Sequence, residues 1–455
     1  MLTHGIKTYP MINPLHWGYN ATVEQMASET GTVSLPLKDG KDPVDLSLFI
    51  SEHVPALKDG AQFQLDPKLF TGILQTMYLS AADYSKTFPV FYGREIVQFE
   101  DGVCTADWVR SDWSSKYKLN QTTGKFDKAA FDADEKETHP EGWPRLQPRT
   151  RYMSETEKAE TLSDERPIVI IMHGLAGGSH EPIIRSIATH ISQMDGGKFQ
   201  VVVLNTRGCA RSKITTHALF TGLHTGDIEH FALREKARFP ERNLYAVGCS
   251  FGALMLANYL GRVGDKTPLK AAMCVSAPWD MVLSAEKLQN DFWSRNLFSK
   301  TITQFLVRLV KVNMGELEVP EGTTPETPPT VENPVFYTFT QSNLKKAFQM
   351  RKIIEFDNMF TAPCLGFASG MDYYREASPL NLIDKISIPL VALNAKDDPV
   401  VGDVAIPQQY LNKNGNVLLC ESDLGGHVAY LQSDGDSWAS KSIAQFFSEF
   451  DKNVV

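Results

Sequence analysis

The chain is poor in cysteine, with six in 455 residues, and it has no CxxC pair and no Cys/His cluster at zinc spacing. That excludes a disulfide frame or a zinc module as the device that organises the fold. Cys249, Cys274 and Cys420 lie in buried-looking segments and read as reduced core thiols of a reducing compartment. Long apolar runs are also missing. The longest are short, such as 168–172 (IVIIM), far below the roughly 18 consecutive apolar residues of a spanning helix. The N-terminus carries Pro10 and Pro14 and no apolar h-region, so no secretory signal is expected and an intracellular location is. Excess positive charge is absent: 45 Lys+Arg against 54 Asp+Glu gives 45 − 54 = −9. A net negative surface disfavours nucleic acid, whose phosphates would be repelled. No internal repeat is present. Hydrophobic residues at 42% and charged residues at 22% exclude a mostly disordered or fibrous chain.

What is present is a change of rhythm along the chain. Residues 1–90 are mixed, with an apolar helical stretch over 69–82. Segments 94–100 and 103–109, joined at Asp101-Gly102, predict a β-hairpin, because Asp-Gly supplies the conformation tight hairpins need. From residue 167 short β-branched runs alternate with helical patterns. Strands are predicted at 167–172, 199–205, 243–248, 270–275, 388–394 and 416–421. Helices are predicted at 182–194, 226–238, 251–260 and 437–450. Nearly all-apolar strands alternating with helices mean an α/β fold, a parallel sheet covered on both faces. The division expected is an N-terminal extension packing on the core (1–90), a first core part (91–277), a cap or lid insertion (278–387) and a second core part (388–455). Within the insertion Phe298, Ile302, Phe305 and Leu309 share one helical face, followed by a proline-rich loop. Either the stripe packs on the core or it lines a pocket.

The chemistry concentrates in Gly248-Cys249-Ser250-Phe251-Gly252. A GxSxG between a buried strand and a helix is a nucleophile elbow, with the serine hydroxyl held at a helix N-terminus. A serine hydroxyl needs a base. Of the 11 histidines only His427 follows Ser250, in a glycine loop after a predicted strand. The acid is expected in 394–400 (NAKDDPV), where Asp398, beside Pro399, is favoured and Asp397 is the alternative. It would fix the imidazole tautomer. The glycine-rich stretch 173–179 (HGLAGGS) would form the oxyanion hole, through the backbone N–H groups of Leu175 and Phe251. A phosphate cradle is the competing reading of that loop, but it lacks a P-loop lysine. His173 reads as a structural hydrogen-bonder. The HxxxxD match at His190–Asp195 is accidental, since it lies on a helix remote from the other motifs.

Stretches 173–186, 205–216, 248–252, 394–400 and 423–431, together with 16–20, 88–97, 101–108 and 138–152, resemble one branch of the α/β-hydrolases. It includes the fungal medium-chain fatty acid ethyl ester synthase/esterases, or ethanol O-acyltransferases, and the likeness covers nearly the whole chain. The resemblance implies an eight-stranded, mostly parallel sheet with a helical cap and a Ser250–Asp398–His427 triad. It implies acyl transfer from medium-chain acyl-CoA to ethanol and hydrolysis of fatty acid esters; the two-step chemistry needs no metal or organic cofactor, and no protein partner is predicted. Peripheral attachment to lipid droplets or organelle membranes fits the same resemblance. The acyl chain is expected to lie against cap residues such as Phe298 and Phe305. Monoacylglycerol lipases share the branch and give the alternative activity. A non-catalytic lipid-binding scaffold is the rival of a different kind.

Overall fold

The computed structural model describes residues 17–403 and 406–455. Residues 1–16 of the expected extension, and His16 of the 16–20 stretch, lie outside the described residues. Strands in chain order are β1 (Asn20–Met26), β2 (Ser34–Leu35), β3 (Val44–Asp45), β4 (Gln62–Gln64), β5 (Tyr92–Phe99), β6 (Gly102–Val109), β7 (Thr150–Tyr152), β8 (Ile168–Met172), β9 (Gln200–Asn205), β10 (Leu244–Cys249), β11 (Ala271–Val275), β12 (Leu390–Ala395) and β13 (Val417–Ser422). Eleven form one sheet in the order β4-β1-β13-β12-β11-β10-β8-β9-β6-β5-β7. The run from β13 to β9 is parallel throughout. The hairpin β5–β6 adds antiparallel to β9.

These eight strands are the expected core, and three more extend the sheet beyond the expected count of eight. β1 and β4 join antiparallel beside β13, and β7 pairs with β5 at the opposite edge. Residues 17–90 therefore supply sheet edge as well as packing surface. The hairpin turn is displaced by one residue: Phe99 pairs with Gly102, so Glu100-Asp101 forms the loop and Gly102 opens the second strand.

The six parallel strands are apolar because both faces are covered. In β8, Val169 and Ile171 join the core under helices Pro182–Gln193 and Trp438–Asn453, while Ile168 and Ile170 join the core under Gly226–Arg238 and Phe251–Val263. Alternate side chains pointing to opposite faces produce this division. Between β11 and β12 the chain leaves the sheet as helices, chiefly Met281–Asn290, Lys300–Val312, Gln341–Ala347 and Gly370–Ala377. Leu306, Val307, Val310, Phe336, Phe339 and Phe360 give this excursion its own apolar core.

Candidate active site

Ser250 stands between β10 and helix Phe251–Val263 with φ 54° and ψ −118°, a backbone conformation rarely tolerated outside glycine. Its amide bonds to the Val275 carbonyl at 2.8 Å. The flanking glycines are required by space. A Cβ on Gly248 would lie 2.6 Å from the Ala253 backbone, and one on Gly252 2.5 Å from the His173 carbonyl oxygen. The tight turn puts the hydroxyl at the mouth of a helix, where unpaired first-turn N–H groups, that of Phe251 among them, favour negative charge.

Two further loops reach Ser250 from the same end of the sheet. After β13, His427 Nε2 lies 2.7 Å from Ser250 Oγ. After β12, Asp398 Oδ2 lies 2.8 Å from His427 Nδ1. The other Asp398 oxygen accepts from the amides of Val400 and Val401 at 2.7 and 2.9 Å. Asp398 is buried, and these bonds fix its orientation. Of the two neighbouring aspartates, Asp398 is the one the structure brings to the imidazole. Asp397 Oδ1 accepts from Gly426 N–H at 2.8 Å instead. Burial lifts the Asp397 carboxyl to about 7, and its Oδ2 is buried without a partner among the described residues.

The histidine loop is held from a quarter that sequence reasoning missed. In helix Gly72–Ala81, Thr76 Oγ1 accepts from the His427 amide at 2.9 Å and donates to the Gly72 carbonyl at 2.7 Å. Gln75 exchanges bonds with the Leu431 backbone, accepting at 2.8 Å and donating at 3.3 Å. Gly72 is forced by close approach: a Cβ there would lie 2.8 Å from the Asp397 carboxyl carbon. The available signal was a Gln-Thr pair embedded in an apolar helical run.

The loop 173–179 is anchored from beneath by a buried network. Arg94 pairs with both Asp107 oxygens at 2.6 and 2.7 Å, and Ser179 Oγ and Asn205 Nδ2 donate to Asp107 at 2.5 and 2.9 Å. Burial alone would raise the Asp107 carboxyl, but the Arg94 guanidinium outweighs it and holds the group below its ordinary value. His173 Nδ1 donates to the Gly174 carbonyl at 2.7 Å and Nε2 accepts from Thr206 N–H at 3.2 Å; burial lowers this imidazole to about 4. It is neutral and fully engaged under the loop. His190 pairs with Asp436 at 2.7 Å, not with Asp195.

Ser250 and His427 open on a cavity of about 580 Å³, whose wall includes Leu175, Phe251 and the cap residues Phe298, Ile302, Phe305 and Leu306. The predicted stripe thus divides. Phe298 (8% exposed) and Phe305 (46%) both face the cavity, while Leu309 packs into the cap core.

A nucleophile elbow on a parallel sheet, with histidine and acid loops converging on it, defines an esterase-type α/β enzyme. The chain belongs to the alpha/beta hydrolase fold family, whose model matches residues 167–434. It is 59% identical over 451 residues, 99% of both chains, to "Medium-chain fatty acid ethyl ester synthase/esterase 2" of Saccharomyces cerevisiae. It is 32% identical over 412 residues to the "Monoacylglycerol lipase" of the same yeast, covering 90% of this chain and 85% of that one. It is 30% identical over 293 residues to human "Phospholipase ABHD3", covering 64% of each.

Proposed function

We propose that the protein is a serine acyltransferase and esterase that forms medium-chain fatty acid ethyl esters from acyl-CoA and ethanol and hydrolyses such esters. The observation that carries the reading is the Ser250–His427–Asp398 hydrogen-bond relay opening on an apolar cavity. Likeness along the full chain to an ester synthase/esterase supports the substrate class. In the first half-reaction His427 Nε2 takes the Ser250 proton as Oγ attacks the acyl carbonyl. The Leu175 and Phe251 amides stabilise the oxyanion, and Asp398 stabilises the imidazolium. The leaving thiol or alcohol receives that proton, and acyl-Ser250 remains. Ethanol or water then gives its proton to His427 and attacks the same carbonyl, and the ester bond to Ser250 breaks as Oγ takes that proton back from His427.

The cavity's lining bears on which acceptor wins. Two buried ethyl carbons at about 0.8 kcal/mol each favour ethanol over water by roughly tenfold in binding. That Phe298 and Phe305 line the cavity together with Ser250 supports an acyl path along the 278–387 excursion, which on this reading acts as the lid. The cavity volume falls in the usual range for small-molecule sites, roughly 300–1,000 Å³. No helix among the described residues is long and apolar enough to cross a membrane. Exposed Leu283, Phe292 and Phe305 on the lid support contact with a lipid surface.

The test is a product profile. Purified protein is given acyl-CoA of graded length with ethanol and water competing, and monoacylglycerol in parallel. Ethyl ester from medium chains is the expected principal product. Faster monoacylglycerol cleavage without ethyl ester would favour the lipase reading. Absence of fluorophosphonate labelling would favour a non-catalytic scaffold.

A further inference from the structure

Glu181 lines the same cavity as Ser250 and His427, and the transfer set out above gives it no task. It occupies the N-cap position of helix Pro182–Gln193, yet its side chain makes no capping bond. The carboxyl turns instead onto the oxyanion loop. A Cβ built on Gly177 would lie within 2.5 Å of Glu181 Oε1, so the carboxyl fills the space this glycine leaves. Gly177 is two residues beyond Leu175. Gly174, at the start of the loop, is in van der Waals reach of Ser250, at 3.7 Å between its built Cβ and the serine Cβ.

Among the described residues no fixed cation answers this carboxyl. Arg185, one helical turn on, donates to the carbonyls of Phe88, Val90 and Pro148. The titratable groups facing Glu181 are His427 from the loop after β13, the Cys249 thiol from the elbow and the Cys209 thiol from the loop after β9. Asp357, another carboxyl on the cavity wall, is engaged inside the lid, where the hydroxyls of Thr361 and Tyr374 donate to it at 2.6 and 2.5 Å.

We propose that Glu181 is a further working residue of the active site, bordering the oxyanion position and compatible with acyl transfer only as the uncharged acid. Negative charge builds on the substrate carbonyl oxygen as the tetrahedral state forms. A carboxylate against the same loop, in a cavity of low polarity, opposes that charge. The neutral acid does not. Burial lifts the Glu181 carboxyl to about 7, against the pull of the Gly178 and Gly174 amides. The acid form therefore persists at neutral pH and is lost above it, and transfer declines by one ionisation on the alkaline side.

This inference rests on the proposed role of Ser250, which fails separately if Ser250→Ala stays active. The experiment is kcat/KM for hydrolysis of a medium-chain p-nitrophenyl ester by the full chain from pH 5.5 to 9. At pH 8.5 a group ionising near 7 is about 3% acid, so wild type should fall about tenfold or more from its maximum, which also requires unprotonated His427. Glu181→Gln, uncharged throughout, should stay flat from its own maximum to pH 8.5. Equal alkaline declines in the two proteins, or a wild type with none, overturns the proposal. If Glu181→Gln does not fold, the rate of fluorophosphonate labelling of the native enzyme replaces it. A decline of about tenfold or more between its maximum and pH 8.5 supports the proposal, and a constant rate overturns it.

Discussion

Replacing Asp398 with asparagine forces a choice between two sets of hydrogen bonds. The carboxylate serves both: Oδ2 meets His427 Nδ1, and Oδ1 takes the Val400 and Val401 amides. An amide has one oxygen. If it stays on the two backbone N–H groups, the NH₂ group points at Nδ1. The imidazole must then carry its proton on Nε2, where it cannot accept one from Ser250. The flipped amide restores the tautomer but sets two buried N–H donors against a third. Each lost bond costs about 1–3 kcal/mol, so at least roughly 2 kcal/mol favours the wrong form. Fewer than about 3% of molecules then hold the productive tautomer, and their imidazolium has lost its carboxylate. We expect Asp398→Asn to lower kcat for medium-chain ester hydrolysis by about 10³–10⁴. KM should change little, since Asp398 is not part of the cavity wall. Asp397→Asn can keep its oxygen on Gly426 N–H, so it should stay within about tenfold of wild type. A variant at 398 within tenfold of wild type, or Asp397→Asn as the worse of the two, would refute the reasoning.

Three other outcomes follow from the geometry. Ser250→Ala and Ser250→Gly should both abolish turnover, but the glycine variant should be about 1 kcal/mol more stable than the alanine variant in urea unfolding, because it relieves the strained φ of 54°. Equal stabilities would show that the turn stores no strain. Thr76→Val removes the acceptor for the His427 amide, so unfolding should cost about 1–3 kcal/mol less and kcat should fall more than KM rises; unchanged kinetics would free the histidine loop from this support. Phe305→Ser, at a half-exposed position, should leave the melting temperature nearly unchanged yet weaken long-acyl turnover, by about fourfold per methylene that loses its contact. An unaltered chain-length profile would place the acyl path elsewhere.

The parallel strands were legible because burial on both faces makes them continuous β-branched runs. The elbow was legible because its two glycines are forced by contact with Ala253 and His173, and such forcing leaves a fixed spacing. The edge strands left no such trace. Gln62–Gln64 and Thr150–Tyr152 are three residues each and exist through their pairing with β1 and β5. β1 reads NATVEQM, too polar to stand out before its partner is known. The choice between Asp397 and Asp398 was open because adjacent residues differ in direction, which the loop sets. The lid stripe was visible as helical periodicity, but periodicity cannot distinguish a face turned to a cavity from one turned to a core. Glu181 looked like an ordinary residue before a helix-opening proline. Only the space over Gly177 shows where its carboxyl goes.

The pairing of β1 with β13 has a consequence for how the molecule comes into being. Val23 pairs with Ser422, about 400 residues away, and the Thr76 hydroxyl reaches the His427 amide over a similar separation. During synthesis β1 and the Thr76 helix emerge early; β1 has β4 at hand, but its β13 side and the Thr76 hydroxyl must wait for nearly the whole chain to follow. Until β13 and the loop after it arrive, Ser250 lacks the His427 imidazole that stands 2.7 Å from its hydroxyl in the finished fold. On the proposed role of His427, competence therefore arrives in one late docking event rather than growing with chain length.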